Sequence, residues 1–288
     1  MFNIHRTQIK QLEQGLLNNY YLRQAANEYT QVVTLKCRQG GNEHYWKSIF
    51  IHLPNTRQLY FRDYISLSVT KIHHILSFVP KVNLLDIQYC DLITNTGSTI
   101  EIFNNITELN LLWTDFSLDA IKQLFQSIPQ LVTVNLGANH NRKPLENDLA
   151  LQVMSEVCPN IERLSVSLQQ VSENTLCRLL TVYGYQLTLL SIRCEGTQVI
   201  KRISQCAKRL QHLVIRHSGC NKNDITDILR ECESLSHFAM VSWPIQEVPS
   251  VVLGRMRDQV EGIRKTFALD RNDLEEIRRL CLYQEQEI

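Results

Sequence analysis

Apolar and polar positions along this chain fall into a pattern that returns at a nearly constant interval. Its centre is a triad of residues spaced three and then two apart, apolar in nearly every copy. The copies are Val32-Leu35-Cys37, Thr56-Leu59-Phe61, Val82-Leu85-Ile87, Ile106-Leu109-Leu111, Leu131-Val134-Leu136, Ile161-Leu164-Val166, Leu187-Leu190-Ile192, Leu210-Leu213-Ile215 and Leu235-Phe238-Met240. Their first members recur evenly from Val32 to Leu235, with one wider gap between Leu131 and Ile161, and only Thr56 breaks the apolar rule. The two-residue spacing of the second and third members is the period of a β-strand, whose side chains alternate between faces. Well after most triads, and before the next, comes a cluster at helical spacing: Ile72/Ile75/Leu76, Ile121/Leu124/Phe125, Leu176/Leu179/Leu180 and Ile225/Ile228/Leu229. Ser68, Ser117, Ser172 and Asn223 stand where a helix N-cap is expected, and Pro54, Pro80, Pro129 and Pro159 break the chain before the next triad.

Each unit therefore reads as strand, turn, helix, turn. One such unit has a single apolar face and too little partner surface to bury it. Neighbouring units stacked side by side make a continuous core, with the strands in one parallel sheet and the helices behind it. The predicted fold is an α/β repeat solenoid of about nine strand–helix units, curved into a horseshoe with its parallel sheet on the concave side. The repeats occupy residues 30–250, with helical caps at 1–29 and 251–288 covering the two raw ends of the core. In the first cap, residues 6–29 read as a helix with Ile9, Leu12, Leu16 and Leu17 on one side. In the second, 251–265 and 272–284 read as two helices. Asn272 and Glu275 have the spacing of a capping box, followed by a stripe of Leu274, Ile277, Leu280 and Cys281.

This pattern resembles the leucine-rich-repeat superfamily. Within it, the chain is similar to the cysteine-containing repeats of F-box/LRR proteins. The residues that carry the likeness are Cys158-Pro159-Asn160-Ile161-Glu162-Arg163-Leu164, with Cys206 and Cys232 at equivalent helix ends and Cys90 after its triad. The Asn or Cys that such repeats place three residues after the triad is met only at Cys90 and Asn139. Elsewhere the position holds Gly40, Tyr64, Thr114, Gln169, Glu195, Ser218 or Trp243. The resemblance implies a non-catalytic recognition scaffold, similar to the substrate-binding arm of a ubiquitin-ligase receptor. A Skp-type adaptor is implied only if an F-box is encoded upstream, because the segment ahead of the repeats carries no F-box pattern. A regulatory repeat protein unconnected with ubiquitin, such as an inhibitor or GTPase regulator, is the alternative, and weak RNA binding is a further one.

Alternation along each strand leaves a second set of positions facing away from the core. In order they are Thr34/Lys36/Arg38, Gln58/Tyr60/Arg62, Leu84/Asp86/Gln88, Glu108/Asn110/Leu112, Thr133/Asn135/Gly137, Arg163/Ser165/Ser167, Leu189/Ser191/Arg193, His212/Val214/Arg216 and His237/Ala239/Val241. Six are Lys or Arg and two are acidic, whereas the whole chain carries a formal net charge of only +1. Arginines and aromatic residues anchor most protein interfaces. Arg38, Tyr60, Arg62, Tyr89, Trp113, Arg163, Arg193, Arg216 and His237 are accordingly the candidate partner-binding residues, for a protein or an acidic or phosphorylated segment. A polar stretch at 138–147, in the longest unit, is a second candidate loop.

The near-neutral balance argues against a nucleic-acid-binding class. The absence of an apolar stretch behind Met1 and of any bilayer-length apolar run predicts an intracellular protein, cytoplasmic or nuclear, without a membrane partner. Nine cysteines at no C-x-x-C spacing read as free thiols. No phosphate-cradling glycine loop occurs, and His212, His217 and Cys220 match no zinc spacing. No enzyme, cofactor or metal is predicted.

Overall fold

The computed structural model of the chain describes residues 2–5, 9–36, 44–94, 100–137, 144–168, 170–216, 222–244 and 264–284. It is a mixed α/β structure dominated by parallel strands, and it divides into two compact units. The first contains residues 1–142 and 153–160; the second contains 143–152 and 161–288.

In the first unit the main sheet runs β1 (Phe2–His5), β2 (Val32–Lys36), β3 (Gln58–Arg62), β5 (Leu84–Gln88), β7 (Glu108–Leu111) and β9 (Thr133–Leu136), every pair parallel. A small second sheet is made by the short strands β4 (Leu67–Ser68), β6 (Asp91–Ile93) and β8 (Asp115–Phe116). Helices α3 (His44–Phe50), α4 (Val69–Leu76) and α5 (Leu118–Ser127) lie between β2 and β3, β3 and β5, and β7 and β9; between β5 and β7, where the repeat pattern predicts another, the described residues hold no helix. Leu85 is aligned with Leu59 on one side and Leu109 on the other, and Ile87 with Phe61; all are fully buried or nearly so. Burial of these columns against the helices' apolar faces drives the fold, at about 25 cal/mol per Å² of apolar surface removed from water.

In the second unit β10 (Arg163–Val166), β11 (Leu189–Arg193), β12 (His212–Arg216) and β13 (His237–Pro244) are parallel, and β14 (Arg264–Leu269) joins β13 antiparallel. Leu164, Leu190, Leu213 and Phe238 form one buried column; Val166, Ile192, Ile215 and Met240 form the next. Helices α7 (Glu173–Tyr183), α8 (Thr197–Cys206) and α9 (Lys222–Glu231) alternate with them, and α10 (Arg271–Gln284) closes the unit. Helix α6 (Pro144–Val157) contributes its first part to the second unit and its last part to the first.

Eight of the nine triads lie in register with their strands. The first does not: Val33 pairs with Leu59 and Leu35 with Phe61, so the triad is Thr30-Val33-Leu35, two residues earlier than predicted. The backbone confirms the phase. Gln31 O accepts from the amides of Arg57 and Gln58, as Arg57 O does from Asn83 and Leu84, and Asn83 O from Thr107 and Glu108. The shift escaped the sequence pattern because Thr occupies the leading position twice. Thr30 and Thr56 are both buried, and Thr56 Oγ1 donates to Leu53 O at 2.8 Å, which satisfies a hydroxyl among apolar neighbours.

The ends differ more. Residues 6–29 hold two helices, α1 (Ile9–Asn18) and α2 (Tyr20–Tyr29), because Asn19 caps the second by accepting from Leu22 N at 3.0 Å. Ahead of them β1 extends the sheet. At the other end, Arg264 and Lys265 belong to a strand, not to a helix; 251–263 lie outside the described residues. The capping box of α10 is built by Asp270 and Asp273, not by Asn272 and Glu275. Asp273 N donates to Asp270 Oδ1 at 3.0 Å and Asp270 N to Asp273 Oδ2 at 3.2 Å. Ser68, Ser117 and Ser172 cap their helices as expected, while Asn223 lies inside the first turn of α9. Cys158 and Cys232 are fully buried at helix ends, but Cys206 is half-buried. The thiols of Cys90 and Cys158 are pushed up to about 12 by burial, which makes both poor nucleophiles.

Candidate functional site

The strand positions opposite the core form lateral rows, because parallel pairing aligns corresponding residues of neighbouring strands. In the first unit the central row is Thr34–Tyr60–Asp86–Asn110–Asn135, and the row at the strand ends is Lys36–Arg62–Gln88. Tyr60, Arg62, Asp86, Gln88 and Asn110 join in one network. Asp86 is 6% exposed and ion-paired with Arg62 Nη1. Its other oxygen accepts from Asn110 Nδ2 at 2.9 Å and from Gln88 Nε2 at 3.2 Å. The Arg62 guanidinium also lies 5.1 Å from the Tyr60 ring centroid, and Tyr60 donates to Gln58 Oε1 at 3.0 Å. Burial, then the Asp86 carboxylate, holds the Tyr60 hydroxyl above its ordinary pKa. Lys36 sits 3.6 Å from Asp63. The positive charges of this face are thus matched within the fold. Arg38 lies outside the described residues.

Tyr89 and Trp113 are not strand residues. Each comes two positions after the third triad member, as Asp63 does one repeat earlier, and all three adopt left-handed backbone (φ 55°, 56° and 58°). The turn lets the next residue drop inward: Tyr64, Cys90 and Thr114 are all buried. Thr114 Oγ1 donates to Ile87 O at 2.7 Å, and Tyr64 N donates to Cys90 Sγ at 3.4 Å, so these groups tie neighbouring strand–turn segments together. Tyr89 and Trp113 are left outside, 56% and 51% exposed, at corresponding positions after the neighbouring strands β5 and β7. A bulky L-residue in this region costs about 1–2 kcal/mol, and such strain gathers at binding sites.

The second unit presents a different surface. Its first row is Arg163–Leu189–His212–His237 and its last is Arg193–Arg216–Val241, with Ser167 one residue beyond β10. No acidic residue stands in either row. The His212 and His237 rings are 5.9 Å apart, and burial followed by the charges of His237 and Arg163 holds His212 below its ordinary pKa. At the other end of the strands, about 13 Å away, Arg193 and Arg216 are aligned neighbours. Arg216 Nη1 donates to Ser167 Oγ at 2.6 Å, reaching across the strand that carries Arg193. Among the described residues neither arginine is ion-paired. The sequence marks Arg193 and Arg216 alongside Arg62; only their partners across the sheet separate them.

Of the polar stretch at 138–147, residues 138–143 lie outside the described set, and 144–147 are the first turn of α6, with Asn147 buried. Among the described residues no group of three or more His, Cys, Asp or Glu side chains could hold a metal ion, and no helix is long and apolar enough to cross a membrane. Against known proteins, no family model matches this chain and no curated protein shows significant similarity to it.

Proposed function

We propose that this protein is a leucine-rich-repeat scaffold that recognises an acidic or phosphorylated segment of a partner protein without catalysing a reaction. The observation that carries the reading is the Arg193/Arg216 pair on one edge of the second unit's open face, with no carboxylate paired to it among the described residues. Two adjacent guanidinium groups repel one another unless an anion lies between them, and their planar donors match a phosphate or carboxylate bidentately. Arg62 shows the alternative outcome: where the fold supplies an internal acid, Asp86, the arginine is consumed structurally. Arg163 places a further positive charge at the opposite strand ends, beside His212 and His237. The regular strand–helix period and the inward Tyr64/Cys90/Thr114 positions support the repeat assignment, and with it the likeness to the substrate arm of F-box/LRR receptors.

The test is affinity capture from cell extract, with partners identified by mass spectrometry. The unmodified chain is compared with a form carrying Arg193→Glu and Arg216→Glu. Specific partners should be lost from the double variant and weaken with added salt. The same partners held equally well by both forms would remove the anion-binding face from consideration.

A further inference from the structure

Beside the arginine pair, the second unit has a cavity of about 480 Å³ lined by Leu168, Gln170, Val171, Glu173, Leu176, Arg193, Cys194, Glu195 and Gly196. It opens where β10 and β11 end and α7 and α8 begin. Leu168, Leu176 and Cys194 are buried, and Val171 is half-buried at the mouth. Arg193 belongs both to this lining and to the row that holds Arg216. We infer that the cavity is a side-chain pocket for an uncharged aliphatic residue adjacent to the anionic residue held by Arg193 and Arg216. The recognised element is then a two-residue motif, an acidic or phosphorylated residue next to leucine or a residue like it. This inference rests on the anion-binding reading proposed above and names the ligand chemistry of the same face.

The two carboxylates in the lining agree with this division of labour. Glu173 is consumed by the fold: its Oε1 accepts from Gln198 N at 2.6 Å and from Val199 N at 3.4 Å, so it caps α8. Those two amides hold its carboxylate at the N-terminus of α8. Glu195 is exposed, where water screens it from a ligand at the mouth. What remains facing the cavity is the apolar floor of Leu168, Leu176, Val171 and Cys194, with one guanidinium at its edge. A site of this size with an apolar body and one orienting charge suits a single large side chain placed beside an anion.

The experiment measures fluorescence anisotropy of labelled, capped phosphoserine hexapeptides on the full chain. In one the phosphoserine is preceded by leucine, in the second it is followed by leucine, and in the third it is flanked by alanine on both sides. One leucine peptide should bind about tenfold tighter than the alanine peptide, the worth of burying most of a leucine side chain. Val171→Trp, which fills the mouth, should bring that peptide down to the level of the alanine peptide. Arg216→Gln should weaken all three. Equal affinities for leucine and alanine peptides on the unmodified chain would overturn the pocket while leaving the anion site standing, and need no variant to read. Failure of all three peptides to bind, or indifference of all three to Arg216→Gln, would overturn the anion site and the pocket with it.

Discussion

Tyr89 occupies left-handed backbone (φ 55°) with a ring that is more than half exposed, so little burial offsets the strain of its conformation. Asparagine tolerates the same backbone because its short side chain hydrogen-bonds locally. Tyr89→Asn should therefore raise the free energy of unfolding by up to about 1 kcal/mol, measured by urea denaturation. A loss of stability instead would mean that the ring's contacts outweigh the strain. If the variant is more stable but captures partners less well, the tyrosine is kept for binding. At this scale the sequence is informative about chemistry and silent about environment. It marks Arg62, Arg193 and Arg216 alike, because all three stand at the same strand position. Asp86, 24 residues after Arg62 in sequence and one strand away in space, distinguishes the first from the other two.

Helix α8 has no side chain of its own at its N-cap, since Gly196 stands there. Its cap comes from the preceding helix, through Glu173 at the start of α7. The glycine is needed for space: a Cβ at position 196 would collide with the Glu173 carboxylate. Gly196→Ala should expel that carboxylate and cost about 1–2 kcal/mol, the worth of a cap plus local strain. Glu173→Ala alone should cost a similar amount, and the double variant little more than either single one, since both remove the same interaction. Full additivity in thermal or urea unfolding would contradict the shared origin. The serine caps at 68, 117 and 172 were legible because a cap just ahead of an apolar turn is a local pattern. The α8 cap was not, because its two partners stand 25 residues apart on successive helices. The break at Asn19 and the capping aspartates of α10 were missed for a different reason: several polar residues competed for each site, and only geometry selects among them.

Acid stability belongs to the whole molecule, and His73 bears on it most directly. It is 3% exposed on α4, its Nε2 lies 2.9 Å from Ser127 Oγ, and its ring centroid lies 5.3 Å from that of Phe103, the planes inclined at 51°. Ser127 donates its own proton towards Gln123 O and Leu124 O, so the neutral Nε2–H tautomer of His73 completes the network. Burial lowers its pKa below the ordinary 6.5, against a smaller upward pull from Glu101. A folded-state pKa below the unfolded one means that stabilisation is complete above the ordinary value and is lost as the pH falls through the lowered one. Unfolding free energy measured from neutral to mildly acidic pH should decline on the acid side, and His73→Gln should flatten that decline. An unchanged slope in the variant would assign the acid sensitivity to other groups, His52 and His212 among them, whose pKa values are also lowered.

The sequence by itself determined most of the strands and helices, because burial on one strand face and one helix face imposes periods of 2 and 3.6. It also determined which strand positions face away from the core, since alternation is a property of the backbone. Tertiary structure decided the rest, where partners lie a whole repeat apart. The phase of the first repeat rests on the amides that Gln31 O receives. The strand at 264–269 exists because β13 offered it an edge to pair with. The difference between a structural arginine and an available one depends on whether an acid stands one strand away. Composition gives a net charge of +1 and no face. Pairing between neighbouring strands gathers Arg193 and Arg216 on one edge, with no counter-ion among the described residues.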